Sequence, residues 1–164
     1  MRAPSHATLG LGGIALASAA ILLTVLLMEH VGGLEPCPLC YQQRYAYYAA
    51  LPAAALGLMR PSLARPLLAA LALGFLGNAG FGFWHMGIEY GWWAGPASCG
   101  GEWALPATTQ DLMRAMGERA PADCASPAWR LLGVSLAGYN MLASLGASLW
   151  AGWFGFGVRY GKTD

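Results

Sequence analysis

The stretch Pro36-Cys37-Pro38-Leu39-Cys40 separates two apolar runs and is followed, one helical turn later, by Arg44. Proline suits the first position of a helix, so the stretch predicts a helix that begins at Pro38 with Cys37 as its cap. Unpaired N–H groups at a helix N-terminus favour anions, and both sulfurs therefore lie where a thiolate is stabilised. Arg44 projects from the same helix face as Cys40 because it is four residues further along.

The composition of the chain indicates a solvent other than water. Only 10% of its 164 residues are charged, whereas a soluble domain carries about 25%. About 20 helical residues cross the ~30 Å hydrocarbon layer, and backbone groups in lipid must pair within their own segment, which favours helices. We expect an all-α membrane protein, a four-transmembrane-helix bundle forming one integral membrane domain over 1–164. The predicted spans cover residues 9–28, 41–59, 67–88 and 131–156.

Two other interpretations of this composition are disfavoured. The first apolar run is longer than the roughly 7–15 residues of a signal-peptide core, which favours a span over a cleaved leader. The net charge of +1, without any basic block, argues against a nucleic acid partner.

Basic residues near the span ends set the predicted orientation. Four spans put both termini on one side, and the positive-inside rule assigns the more basic side to the cytoplasm. All four cysteines then lie in outer loops, about 29–40 and 89–130. Disulfides require an oxidising compartment, which in a bacterium is the periplasm. The basic residues on the inner side are Arg2, Arg60, Arg65, Arg159 and Lys162.

The second outer loop contains Cys99 and Cys124, 25 positions apart. Thr108-Thr109-Gln110-Asp111 resembles a capping box that opens a short amphipathic helix. Its apolar edge, with Leu112, Met113 and Met116, would lie on the membrane surface. The residues alone leave open whether a Cys99–Cys124 bridge is structural or reactive.

Several positions within the spans have two interpretations. Tyr41, Tyr45 and Tyr48 repeat at helical spacing, as the border of a flat ligand or as an interfacial aromatic belt. Arg44 either stabilises a Cys40 thiolate and polarises a ligand carbonyl, or anchors its helix at the headgroups. Small-residue rows and Asn140 are expected to mediate helix packing. The rows are Gly74–Asn78–Gly82 and Ser144–Ser148–Gly152.

Taken together, these features resemble DsbB, the disulfide bond formation protein B family. The likeness rests on four spans, the Cys-x-x-Cys-x-x-x-Arg start of the second span, and a second cysteine pair between spans three and four. His85, near the outer end of span three, and Trp129, before span four, add to it. Gln43 departs from the family pattern, in which an acidic residue is common before the arginine.

The resemblance implies a thiol:quinone oxidoreductase of the bacterial inner membrane. A reduced periplasmic thioredoxin-fold partner, similar to DsbA, would attack a Cys99–Cys124 disulfide at Cys99. Electrons would pass to a Cys37–Cys40 disulfide and then to ubiquinone or menaquinone from the membrane pool. Cys40 would contact the quinone, Arg44 would stabilise charge on its oxygen, and His85 would lie nearby.

Three rival classes make different demands on the sequence. Structural zinc sites pair their ligands at short spacing, which Cys99 and Cys124 do not, so no metal site is expected. Haem would need paired histidines within the spans. A non-catalytic membrane scaffold or small transporter with structural disulfides predicts that all four cysteines stay oxidised and inert.

Overall fold

The computed structural model describes residues 5–96, 99, 108–110, 113 and 123–156. Within this part of the chain four long helices account for most of the residues, and a 3₁₀ turn connects the second helix to the third. A two-residue hairpin precedes the last helix. The helices are α1 (His6–His30), α2 (Pro38–Met59), α3 (Ala64–Glu89) and α4 (Leu136–Phe156); the turn is Pro61–Leu63; the strands are β1 (Arg130–Leu131) and β2 (Val134–Ser135).

The start of α2 confirms the prediction made from the proline. Pro38 is the first helical residue, and Cys37 is the cap. The Cys37 sulfur accepts a hydrogen bond from the Cys40 N–H at 3.3 Å. A helix terminus leaves its first N–H groups without intrahelical partners, and here a sulfur satisfies one of them.

Helices α3 and α4 pack through small and polar side chains, as predicted for part of each row. Ser148 Oγ donates to the carbonyl of Ala72 at 2.8 Å, and Asn78 Nδ2 donates to Ser144 Oγ at 2.9 Å. A Cβ atom at Gly82 would lie 3.1 Å from the Met141 nitrogen. These positions hold the two helices close together.

The prediction was wrong at the other end of each row. Gly74 and Gly152 have open space where a Cβ would stand, so neither forms a helix contact that needs glycine. Asn140, by contrast, bonds across helices as expected, since its Oδ1 accepts from Tyr47 OH at 2.8 Å.

The fourth helix begins at Leu136, later than the predicted boundary at residue 131. The preceding residues form the hairpin, in which Leu132 and Gly133 have φ values of 50° and 81°. Tyr90 OH donates to the carbonyl of Gly133 at 2.6 Å and ties the hairpin to the end of α3. An apolar sequence alone does not distinguish this hairpin from another helical turn.

The surface of the bundle suits a lipid environment. In the described part of the chain, His6–His30 and Pro61–Glu89 are long and apolar enough to cross a membrane. Large apolar side chains are exposed on all four helices, which in water would be an unusually extended apolar surface. Examples are Leu16, Leu23, Leu58, Leu73, Leu149 and Trp153.

Only part of the predicted short helix in the second loop falls within the described residues. Thr109, Gln110 and Met113 are helical. Asp111, Leu112 and Met116 lie outside the described residues, so the amphipathic helix stays a prediction.

Candidate functional site

All four cysteines meet at one end of the bundle. The C-terminal ends of α1 and α3 and the N-terminal ends of α2 and α4 lie there, because the helices alternate in direction. Cys37, Cys99 and Cys124 are buried in a single apolar cluster with Leu39 and Ile88, and Cys40 packs against it. The fold therefore brings two cysteine pairs from separate loops into contact range.

The two pairs differ in their bonding. Cys99 and Cys124 form a disulfide, whereas Cys37 and Cys40 are free thiols. The Sγ atoms of Cys37 and Cys40 lie 2.9 Å apart, so a disulfide could form with little movement.

Cys37 faces a buried polar pair. His85 Nε2 lies 3.5 Å from Cys37 Sγ, and Gln43 Nε2 lies 2.7 Å from His85 Nδ1. His85 is fully buried and Gln43 nearly so. When the amide N–H donates to Nδ1, the ring proton lies on Nε2 and points at the sulfur.

This environment makes Cys37 the thiolate of its pair. The hydrogen bond with Cys40 lowers the pKa of Cys37 to about 5; burial opposes this shift, and His85 adds a further lowering contribution. An unperturbed cysteine has a pKa of about 8.5. These contacts hold the pKa of Cys37 well below its ordinary value and favour the thiolate there, whereas the sequence left both sulfurs as candidates and placed Arg44 beside Cys40.

Cys40 faces a cavity of about 450 Å³. The cavity lies between α1, α2 and α4, and its walls are mainly apolar. Sites for drug-sized ligands measure about 300–1,000 Å³, so the space is large enough for a substituted aromatic ring. Its polar or aromatic lining includes Glu29, Glu35, Gln43, Arg44, Tyr47, Trp129, Tyr139 and Asn140.

Arg44 lies on the rim of this cavity with Cys40, as its spacing predicted. Its Nη1 donates to Glu29 Oε2 and forms an ion pair across to α1. The guanidinium also lies 4.9 Å from the centre of the Tyr41 ring. Arg44 is only 11% exposed, and the ion pair holds it at the cavity. These two observations favour a role at the cavity over an anchor at the headgroups.

His85 does not line the cavity; it lies on the Cys37 side of the cysteine pair. Its two ring nitrogens face Cys37 and Gln43 and not Glu89, which lies one turn further along α3.

The tyrosines of α2 divide between the two interpretations. Tyr41, Tyr45 and Tyr48 are exposed, which suits an aromatic belt. Tyr47, which the sequence analysis did not single out, is buried and lines the cavity. The sequence also did not point to Glu29, because a carboxylate at the end of an apolar run is equally expected where a helix simply reaches the lipid headgroups.

The arrangement can pass electrons in one line. The disulfide and the dithiol share one cluster, and Cys40 of the dithiol lines the ligand-sized cavity. A cysteine with a lowered pKa is a good leaving group in thiol–disulfide exchange, and Cys37 has that property. Reduction of a carbonyl ligand places negative charge on its oxygen, which a neighbouring cation stabilises, and Arg44 is placed for that role.

Comparison with known proteins identifies the family of the chain. The sequence profile of the family described as "Disulfide bond formation protein DsbB" matches residues 8–154. The chain is similar to Disulfide bond formation protein B of Albidiferax ferrireducens, with 35% identity over 79% of this chain and 76% of the relative. The protein of the same description from Polaromonas sp. strain JS666 is 34% identical over 83% of this chain and 83% of the relative. The one from Verminephrobacter eiseniae is 37% identical over 79% of this chain and 75% of the relative.

No solved structure matches the chain. The family match nevertheless covers nearly all of the sequence and confirms the resemblance drawn from the cysteine motifs. The chain belongs to the DsbB family, whose members are disulfide-forming oxidoreductases of the bacterial inner membrane.

Proposed function

We propose that this protein is a thiol:quinone oxidoreductase that reoxidises a periplasmic DsbA-like thiol oxidase and passes the electrons to ubiquinone or menaquinone. One observation carries the proposal. The Cys37–Cys40 pair packs in one cluster with the Cys99–Cys124 disulfide, and its Cys40 also lines a mainly apolar cavity together with Arg44.

The first half of the reaction takes place at the second cysteine pair. A thiolate of the reduced partner attacks Cys99, Cys124 leaves, and the partner's second thiol then releases its disulfide. The dithiol so formed exchanges with a Cys37–Cys40 disulfide, which becomes reduced. Cys99 is only 6% exposed, so partner binding must first uncover it.

The acidity of Cys37 sets the direction of electron flow. A stabilised Cys37 thiolate favours the reduced form of its pair. This preference draws electrons from the second loop towards the cavity.

The second half takes place at the cavity. A bound quinone would accept two electrons and two protons and leave as quinol. The Cys37 thiolate and the Cys40 thiol supply both electrons and one proton as their sulfurs join, and solvent water supplies the second proton. Arg44 donates hydrogen bonds to the carbonyl oxygen on which negative charge develops. Gln43 and His85 hold the Cys37 sulfur ready to close the bond with Cys40.

This chemistry requires a particular placement in the membrane. We assign four spans to the helices, both termini to the cytoplasm and the cysteine end to the periplasmic face. Quinone then enters the cavity from the lipid, and the partner reaches the second loop from the periplasm. The exposed apolar side chains on all four helices support the assignment.

The test is turnover of the purified full-length protein in detergent. Quinone is mixed with the protein and a reduced thioredoxin-fold partner, and quinone absorbance reports reduction. We expect catalytic quinol formation in the wild type and none in Cys40→Ser. If the wild type oxidises no partner and all four cysteines stay oxidised, the protein is a scaffold or transporter with structural disulfides.

A further inference from the structure

Arg44 is held by a residue from another helix. Its Nη1 donates to Glu29 Oε2, and Tyr41 OH donates to Glu29 Oε1 at 2.7 Å. The Arg44 guanidinium also lies over the Tyr41 ring. Glu29 and Arg44 are 19% and 11% exposed, and both line the cavity that Cys40 faces.

We propose that Glu29 is a positioning residue for the quinone site, which holds the Arg44 guanidinium over the cavity. The inference rests on the proposed function, because it assumes that quinone is the ligand. Neither the cysteine motif nor the spacing of Arg44 points to Glu29, which lies on α1.

An unpaired arginine at this depth would turn away from the cavity. Its long side chain has many rotamers, and near a membrane surface such side chains extend towards the headgroups. Glu29 lies in the last turn of α1, whereas Arg44 lies on α2, and both line the cavity. The ion pair therefore draws the guanidinium across the cavity rim instead of outwards.

Arg44 has hydrogen-bond donors besides the one that bonds to Glu29. A guanidinium has five N–H groups in a fixed plane, and Glu29 occupies the donor on Nη1. Other donors remain for a carbonyl oxygen in the cavity. The carboxylate also balances the charge of Arg44 when no ligand is bound, which lowers the cost of a cation beside apolar walls.

The geometry assigns Tyr41 a supporting part. Its hydroxyl donates to the second carboxylate oxygen, so Tyr41 and Arg44 each bond to one oxygen of Glu29. Gln43 is neutral and bonded to His85, so it does not supply the carboxylate for Arg44.

The experiment measures quinone binding and turnover in Glu29→Ala, Glu29→Gln, Arg44→Ala and the double variant Glu29→Ala/Arg44→Ala. The Kd is obtained on the oxidised, full-length protein from quenching of tryptophan fluorescence, since Trp129 lines the cavity. The KM values for quinone and for the thiol partner come from steady-state turnover. We expect Glu29→Ala to raise Kd and KM for quinone about 3- to 30-fold. This rise lies within the range of coupling free energies measured between residues in contact.

Three further results distinguish positioning from general structural damage. Glu29→Gln keeps an oxygen that accepts from Arg44 and offers an amide N–H to the Tyr41 oxygen, so it should restore most of the affinity. The KM for the thiol partner should not change. In the Arg44→Ala background the Glu29→Ala change should have no further effect, because Glu29 acts through Arg44.

Tyr41→Phe provides a milder variant should Glu29→Ala fail to fold. It removes one hydroxyl and should raise the quinone Kd by a smaller factor than Glu29→Ala. Tyr45→Phe is its matched control, because Tyr45 is an exposed tyrosine on the same helix, whereas the hydrogen bond to Glu29 comes from Tyr41.

Unchanged quinone affinity in both Glu29→Ala and Tyr41→Phe would overturn the inference, and so would an equal loss with and without Arg44. In either case wild-type turnover would leave the proposed function standing. A wild type that neither binds nor reduces quinone would overturn both.

Discussion

The two sides of the Cys37–Cys40 pair present opposite environments to sulfurs only 2.9 Å apart. Cys37 faces a buried imidazole, shares a cluster with the Cys99–Cys124 disulfide and has a pKa well below its ordinary value. Cys40 faces a mainly apolar cavity with a guanidinium at its rim. The difference indicates a division of labour, in which one sulfur exchanges with protein disulfides and the other meets the membrane-soluble oxidant.

The largest expected effect is on the acidity of Cys37. Its pKa of about 5 arises first from the Cys40 hydrogen bond, so Cys40→Ala should move it upwards, to or beyond the ordinary value of about 8.5. His85→Ala should give a smaller rise. In the reduced wild type the thiolate is present above about pH 5 and is lost as the pH falls through that value.

Thiolate absorbance in the ultraviolet, titrated on reduced protein, measures this shift. In Cys40→Ala the loss should occur at alkaline pH, so that Cys37 is protonated at pH 7. A titration that is the same in both proteins would show that the two sulfurs are not coupled, and the division between the two sides would fail.

The next effect concerns the Cys40 side. Arg44→Ala removes a charge-assisted hydrogen bond worth about 1.5–3 kcal/mol, so the KM for quinone should rise about 10- to 100-fold while the KM for the thiol partner stays the same. Arg60→Ala is the matched control, because Arg60 lies at the opposite end of α2. An unchanged KM for quinone in Arg44→Ala would restore the interpretation of Arg44 as a headgroup anchor.

The smallest expected effect concerns how deeply quinone binds in the cavity. Tyr47→Phe keeps the aromatic ring but removes hydrogen bonds to Asn140 and Ser144. Such bonds in membrane proteins contribute about 0.6–1.7 kcal/mol, so the thermal unfolding temperature in detergent should fall slightly. The KM for quinone should not change. A rise comparable to that in Arg44→Ala would place the quinone headgroup deeper than Arg44.

The sequence was sufficient for features set by local physics. Proline and cysteine at a helix start placed the boundary of α2 at the correct residue. The four-residue spacing placed Arg44 and Cys40 on one cavity. The long apolar runs predicted the helices, because their length and lack of charge leave few other structures.

The contacts that Glu29 and Gln43 make with other helices could not be predicted from the sequence. Glu29 lies fifteen positions before Arg44, and nothing local connects the two residues. Gln43 was noted only as a departure from an acidic residue, whereas its role depends on His85, which lies on α3. The hairpin before α4 was missed because Leu132 is apolar, although its φ of 50° belongs to a turn.

The division between the two sulfurs is tested most directly by an electrophilic quinone with an unsubstituted ring position, which adds covalently to thiols. The reagent is mixed with reduced Cys37→Ala and with reduced Cys40→Ala, and the adducts are mapped by mass spectrometry of peptides. We predict rapid labelling of Cys40 in the first variant and little labelling of Cys37 in the second, despite the lower pKa of Cys37 in the intact pair. Equal labelling of both sulfurs, or labelling of Cys37 alone, would contradict the account.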